Sequence, residues 1–235
     1  MVIPEVYLKN RKHAMTRAAE HAELLKNQTA RNELLVAHAL KAAERYSAEY
    51  KQVEDAKLKA VKDATSKGGF VIPAEAKLLL VIRLRGLKAT SPKTRAILNL
   101  FRLRQINNAV FIRANKATLN ALKMIEPYVT YGEPTLDTIR QLAYRRGYAK
   151  VDGQRLPIID NTLIDEKLGA LKIQCIEDLV HEIHTVGPNF KQANNFLWPF
   201  KLNPTELHAK RFHFIEGGDH GNRGKYINDF VAKMI

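Results

Sequence analysis

Between Pro4 and Gly68 the chain contains neither glycine nor proline. The composition there is dominated by Ala, Lys, Glu, Leu and Arg, the residues that lose least on entering a helix. The pattern predicts a helix from about residue 10 to residue 64, which at the helical rise is roughly 80 Å long. Its apolar face is thin and mostly alanine: Ala14, Ala18 and Ala22, then Leu34, Leu35, Ala39, Ala42 and Ala43. A rod with so weak a stripe buries too little to make a compact domain of its own. Leucines at heptad spacing are sparse, so an arm laid along something large is favoured over a coiled coil. Lys67-Gly68-Gly69 ends the helix.

The second constraint is electrostatic. From Ala76 to Ile125 there is no Asp or Glu, yet there are eleven Lys and Arg. Residues 77–155 carry 16 basic and 4 acidic side chains, while residues 156–235 are close to neutral, and the whole chain has a formal charge of +14. Like charges repel, so a one-sign segment points to a partner of the opposite sign, and nucleic acid is the densest polyanion available.

After Pro73 the apolar pattern changes period. Lys77–Arg85 reads as a strand with Leu78, Leu80, Ile82 and Leu84 on one face. Leu79, Val81, Arg83 and Arg85 lie on the other, which turns cationic towards its end. Ser91-Pro92 reads as an N-cap and first helical residue, opening a helix that buries Ala96, Ile97, Leu100 and Leu103. Ala109–Arg113 is a second strand. Lys116–Glu126 is a second helix with Leu119, Leu122 and Ile125 inward, and Tyr128–Tyr131 a third strand. This is an α+β fold, a small β-α-β-α-β core of ferredoxin-like resemblance with its helices on one face. The parts are a helical arm (1–69), the core (70–132) and a mixed extension packed on the core (133–235). In the extension, helices are expected over Thr135–Arg146, Asp160–Leu168, Ile176–Thr185 and Tyr226–Met234, with a hairpin turning at Asp152-Gly153.

Signals for catalysis are weak. Gly217 to Lys225 is glycine-rich, but Asp219 stands where a phosphate loop of the Walker type has its first glycine, and Tyr226 stands where it has Ser or Thr. A tight turn is the better reading. His181 and His184 are three apart where a zincin helix needs four, so solvated histidines are favoured. Cys175, the only cysteine, precedes an apolar helix and is expected in the core. No nucleophile, base and orienting group come together, so no catalytic, metal or cofactor site is expected. No apolar run approaches a membrane span, and nothing resembles a signal peptide.

For nucleic acid the candidates are Arg83, Arg85, Lys88, Lys93, Arg95, Arg102, Arg104, Arg113 and Lys116 from the acid-free stretch. Arg145 and Arg146, flanked by Tyr144 and Tyr148, suit backbone clamping and stacking. Phe196, Trp198 and Phe200 present the choice between base stacking and packing. Packing is favoured, with Lys191 and Lys201 as flanking phosphate contacts.

Several of these segments carry a resemblance, from Ala74-Glu75 and Leu80–Gly86 through Ser91-Pro92-Lys93, Leu103–Ile106, Glu126-Pro127-Tyr128 and Arg146-Gly147-Tyr148. It continues through Glu177-Asp178-Leu179, His181-Glu182-Ile183, Asn194–Lys201 and Glu216–Asp219. In this order they closely resemble the universal L-thirty family of large-subunit ribosomal proteins in its eukaryotic form, from about residue 70 to the end. The resemblance implies a structural, non-enzymatic constituent of the cytosolic large subunit, without cofactor. Its expected partners are large-subunit ribosomal RNA and neighbouring ribosomal proteins, with no membrane, no small-molecule substrate and no homo-oligomer. It implies a cytoplasmic, ribosomal location with nucleolar transit during assembly. The arm here is only mildly basic, and Leu202–Arg211 lacks the glycine-rich basic stretch common in relatives. The alternatives are a ribosome-assembly factor of the same family, which matches less well through Asn194–Lys201, and a helical protein-interaction module.

Overall fold

A computed structural model describes residues 5–72, 74–88, 90–207 and 209–235. The first four residues of the arm, Pro73 at the change of pattern, and His208 within Leu202–Arg211 lie outside the described residues. The glycine- and proline-free segment is one unbroken helix, α1 (Glu5–Ser66), roughly 90 Å long at the helical rise. Most of its length is exposed. Among the described residues of the helix, only Leu35, Ala42 and Tyr46 are buried, with Ala39 and Tyr50 packed beside them. The arm therefore lies along its own body through its middle third and overhangs at both ends.

The β-α-β-α-β unit follows as β1 (Leu78–Arg83), α2 (Pro92–Leu100), β2 (Asn108–Arg113), α3 (Lys116–Ile125) and β3 (Val129–Gly132). Ser91 caps α2 by accepting from the Thr94 N–H, with Pro92 at the first turn, and Asn115 caps α3 in a box with Thr118. Both caps satisfy amides that the first helical turn leaves open.

The extension comprises α4 (Leu136–Arg146), the β4 (Tyr148–Val151) and β5 (Gln154–Pro157) ribbon, α5 (Asn161–Leu168), α6 (Ile176–Thr185) and α7 (Phe190–Phe196). It ends in β6 (Phe200–Lys201), β7 (Gly221–Gly224) and α8 (Ile227–Ala232). The five-stranded sheet runs β6-β2-β1-β3-β7, antiparallel except for the parallel β3–β7 pair. Both edge strands thus come from the extension. At the β3–β7 contact a Cβ on Gly132 would lie 2.2 Å from the Gly224 carbonyl oxygen, so only glycine permits this approach.

Each face of the sheet has its own apolar layer. Leu79, Val81, Val110, Ile112 and Val129 pack under α2 and α3 with Leu98, Phe101, Leu103, Leu122 and Ile125. Leu78, Leu80, Ile82, Ala109 and Phe111 pack against α4, α6, α7 and α8 of the extension. β1 is accordingly buried at every residue, the state in which a strand reads as a continuous apolar run. The expected cationic outer face of β1 does not exist. Arg83 is only 3% exposed.

Three further expectations need correction. In α2 the inward residues are Leu98 and, at its C-cap, Phe101, whereas Leu100 is 74% exposed and Ala96 is also outside. The helix stops at Leu100, and Arg102 follows with φ 61°, so Leu103 reaches the core from the turn and not from the helical stripe. Leu119 lies on the exposed side of α3. Gly221 to Gly224, within the glycine-rich segment, is the edge strand β7. The Asp152-Gly153 turn is present, both residues having positive φ, as a two-residue hairpin requires.

Candidate nucleic-acid interface

Among the described residues, none of the eleven Lys and Arg between Ala76 and Ile125 pairs with a carboxylate. Their positions nevertheless differ sharply. The Arg83 guanidinium donates to the carbonyls of Arg85 (2.8 Å), Leu103 (2.9 Å) and Arg104 (2.6 Å), and burial lowers its pKa. Arg102 donates to the carbonyls of Leu197 (2.9 Å) and Asn194 (3.0 Å), tying the α2–β2 turn to the extension. Arg146 donates to the terminal residue, at the Ile235 carbonyl oxygen (2.6 Å). Arg83 is an internal strut, and Arg102 and Arg146 are part-buried braces between segments.

Arg85 is half-buried, its guanidinium 5.4 Å from the Tyr128 ring centroid. Arg95 touches Thr90 and the Leu87 carbonyl but stays exposed. Lys88, Lys93, Arg104, Arg113, Lys116, Arg145 and Lys201 are exposed. Arg113 and Lys191 line a shallow recess by α7. Lys116 lies near Glu75 and Glu133, in a region of mixed sign. Tyr144 donates to Glu177 at 2.7 Å, and Arg140 holds the other carboxylate oxygen, so the Tyr144 hydroxyl is tied to α6.

One concave region gathers several cations. A groove of about 540 Å³ opens between the α2–β2 turn, the β6 edge and the β4–β5 ribbon. Arg102 and Arg104 of the turn, Lys201 of β6, and Lys150 and Arg155 of the ribbon line it. Gln105 and Asn108 add amides, and Leu197, Trp198 and Pro199 supply apolar surface; no described residue lining the groove is a carboxylate. The Trp198 N–H donates to the Tyr148 carbonyl at 2.7 Å, fixing this wall to the ribbon.

The ribbon carries the most informative pair. Lys150 faces Arg155 directly across β4–β5. Like charges opposite one another destabilise a ribbon. Arg155 lies 3.6 Å above the Tyr148 ring, both cations are exposed, and an anion bound across them would remove the repulsion that solvent screening leaves. Lys150 and Arg155 are absent from the sequence-derived candidates. The signal was available, because a two-residue turn at Asp152-Gly153 forces residue 150 opposite 155.

The aromatic cluster divides. Phe196 and Phe200 are in the core, with Phe200 edge-on to Phe111 at 5.5 Å, while Trp198 is half-buried in the groove wall.

A second polar cluster serves the arm. His38, Cys175 and Asp178 offer ligand atoms within 4.8 Å of one another. The Asp178 carboxylate already accepts from the Tyr46 hydroxyl (2.8 Å) and from the amides of Gln174 and Cys175. The Cys175 sulfur caps α6 by accepting from the Asp178 N–H. Burial pushes the thiol up to about 12. Tyr46 stacks on His181 at 4.0 Å, and the Tyr50 hydroxyl meets His181 Nδ1 at 2.9 Å. These groups anchor α1 to α6, and Arg31 adds an ion pair to Asp165 of α5 at 2.5 Å.

Comparison with known proteins places this architecture. The family model described as Ribosomal protein L30p/L7e matches residues 79–129, and that of the Ribosomal L30 N-terminal domain matches residues 3–74. The chain is 50% identical over 238 residues to the large ribosomal subunit protein uL30 of Caenorhabditis elegans, covering 99% of this chain and 96% of that one. It is 50% identical over 237 residues to uL30 of Drosophila melanogaster, covering 99% and 94%. It is also 50% identical over 197 residues to uL30B of Paramecium tetraurelia, covering 83% and 79%.

Proposed function

The chain belongs to the L30p/L7e family of large-subunit ribosomal proteins, and from that premise we propose that it holds ribosomal RNA and neighbouring ribosomal proteins in place within the large subunit. The family is one of structural components and not of enzymes. The observation that carries the RNA reading is the groove lined by cations and by no described carboxylate, with Lys150 directly opposite Arg155 on the ribbon. RNA phosphates supply that anion, and Arg and Lys are the side chains that neutralise them.

In this reading the RNA-facing set is Arg104, Lys150, Arg155 and Lys201 around the groove, with Arg85, Lys88, Lys93, Arg95, Arg113, Lys116 and Arg145 as outlying phosphate contacts. Arg83, Arg102 and Arg146 shape the surface from within. Residues 1–69 act as an arm, 70–132 as the RNA-binding core and 133–235 as the extension packed on it. The overhanging ends of α1, with Leu24, Leu25 and Leu58 exposed, are the surfaces offered to neighbouring ribosomal components. The protein works as a single copy in cytoplasmic ribosomes, joins them through nucleolar assembly, and needs no cofactor, small-molecule substrate or membrane. No described helix is long and apolar enough to cross a bilayer.

Sedimentation of the tagged protein through a high-salt gradient tests this. Co-migration with mature large subunits and polysomes is expected. Restriction to precursor particles would indicate an assembly factor instead, and absence from every ribosomal fraction would refute both.

A further inference from the structure

The groove has an aromatic wall as well as cationic sides, and the two together define its occupant more narrowly than charge does. An indole is among the largest apolar payloads a fold can bury. Its neighbours in sequence, Phe196, Leu197 and Phe200, are all in the core, yet Trp198 is held half-exposed where the groove opens. Its backbone is pinned to Tyr148, and Arg102 fixes the preceding carbonyl of Leu197, so the ring stands on a braced segment.

A double helix makes poor use of such a site. The bases of an A-form duplex are stacked inside, and proteins meet it through shape, 2′-hydroxyls and phosphates across a shallow groove. An aromatic ring in a recess gains a partner only when a base is splayed out of its stack. The volume of about 540 Å³ falls within the range of pockets that enclose small molecules, and Gln105 and Asn108 place amide donors and acceptors where a base edge would lie. The cations come from separate elements lining the recess, the turn and β6 edge and the ribbon, so phosphates flanking an extruded base could each find one. A phosphate there would also offset the like-charge opposition of Lys150 and Arg155.

We infer that this groove holds an unpaired nucleotide of RNA, its base stacked on Trp198 and its flanking phosphates on Arg104 and Lys201 of the turn and β6 edge and on Lys150 and Arg155 of the ribbon. The inference rests on the RNA-binding reading and narrows it from backbone contact to capture of a single-stranded position.

Trp198 is the only tryptophan of the chain, so its emission reports this site alone. The full-length protein is titrated with a labelled single-stranded RNA of roughly ten nucleotides, a length within the range of single-strand sites. The same strand in a duplex and a free nucleoside monophosphate are titrated in parallel. RNA anisotropy reports binding, and tryptophan emission reports stacking. The single strand is expected to bind and quench. The duplex is expected to bind without quenching, and the mononucleotide is expected to quench far more weakly than the strand. Trp198→Ala should weaken single-strand binding by about tenfold or more and leave duplex binding unchanged, with Trp198→Phe restoring most of the loss. Lys150→Glu with Arg155→Glu, on an exposed ribbon, should abolish quenching while far-ultraviolet circular dichroism stays native. Single-strand binding without any change in emission, or equal quenching by duplex or mononucleotide, would overturn the inference and leave the RNA reading standing. Absence of binding to either RNA would overturn both.

Discussion

Arg83 and Arg104 show how differently two arginines of the same charged stretch are used. Arg83 is buried and its fork reaches three carbonyls, one of them that of Arg104 itself, whose side chain faces the groove. Replacing Arg83 by Met leaves those carbonyls without a donor, and hydrogen bonds to charged groups are worth enough each that stability should fall by about 2–3 kcal/mol. Arg104→Met at an exposed site should change it by no more than about 0.5 kcal/mol. Urea unfolding of the two variants tests the distinction, and equal losses would refute it. This difference could not be read from the sequence. The absence of acids shows that carboxylates do not neutralise these arginines. Backbone carbonyls, which accept just as well, leave no compositional trace. Arg102 and Arg146 were obscured in the same way.

At the scale of elements, α1 and the β4–β5 ribbon mark the two extremes of legibility. The length of α1 follows from the lack of helix breakers, and the turn of the ribbon follows from Asp152-Gly153. What α1 rests on does not follow, because its docking face is built from one leucine, alanines and tyrosines whose partners, Asp178 and His181, lie about 130 residues away. A polar seam of this kind has no periodic signature. The inward residues of α2 escape the periodic pattern for a related reason, since its C-terminus at Leu100 is set by the turn through Arg102 and not by a glycine or proline. The seam predicts a chemical behaviour. Cys175 lies beneath Ala42 and Tyr46, and burial holds its thiol protonated, so alkylation by iodoacetamide at neutral pH requires local opening. Tyr46→Ala removes stacking on His181 and the bond to Asp178, and labelling should accelerate by about tenfold, in line with loss of a buried aromatic contact. An unchanged rate would mean that the thiol is exposed by some opening other than release of the arm.

For the molecule as a whole, the formal charge of +14 matters through its placement. The apolar layers on either side of the sheet leave the exposed cations to helix surfaces, strand ends, the turn before β2 and the ribbon, and four exposed ones, Arg104, Lys150, Arg155 and Lys201, line one groove beside the part-buried Arg102. If these four neutralise four phosphates of a single strand, the logarithm of affinity should fall against the logarithm of salt with a slope of about −3. Lys150→Ala with Arg155→Ala should make that slope shallower by about 1.4, measured by anisotropy between about 50 and 200 mM potassium chloride. A slope unaffected by the double substitution would place the phosphates elsewhere. The sheet itself has a further consequence, for the order of events during synthesis. β2 and β3 gain their outer partners, β6 and β7, only from the last part of the chain. At about 5–20 residues per second, the residues between Gly132 and Gly221 take roughly 4 to 18 seconds to emerge. Until β6 emerges at Phe200 both flanks of the nascent sheet are unpaired, and from there to Gly221 the β3 flank alone is, the condition in which strands recruit wrong neighbours. The like-charged residues 77–123 would then repel a second nascent copy until β6 and β7 close the sheet.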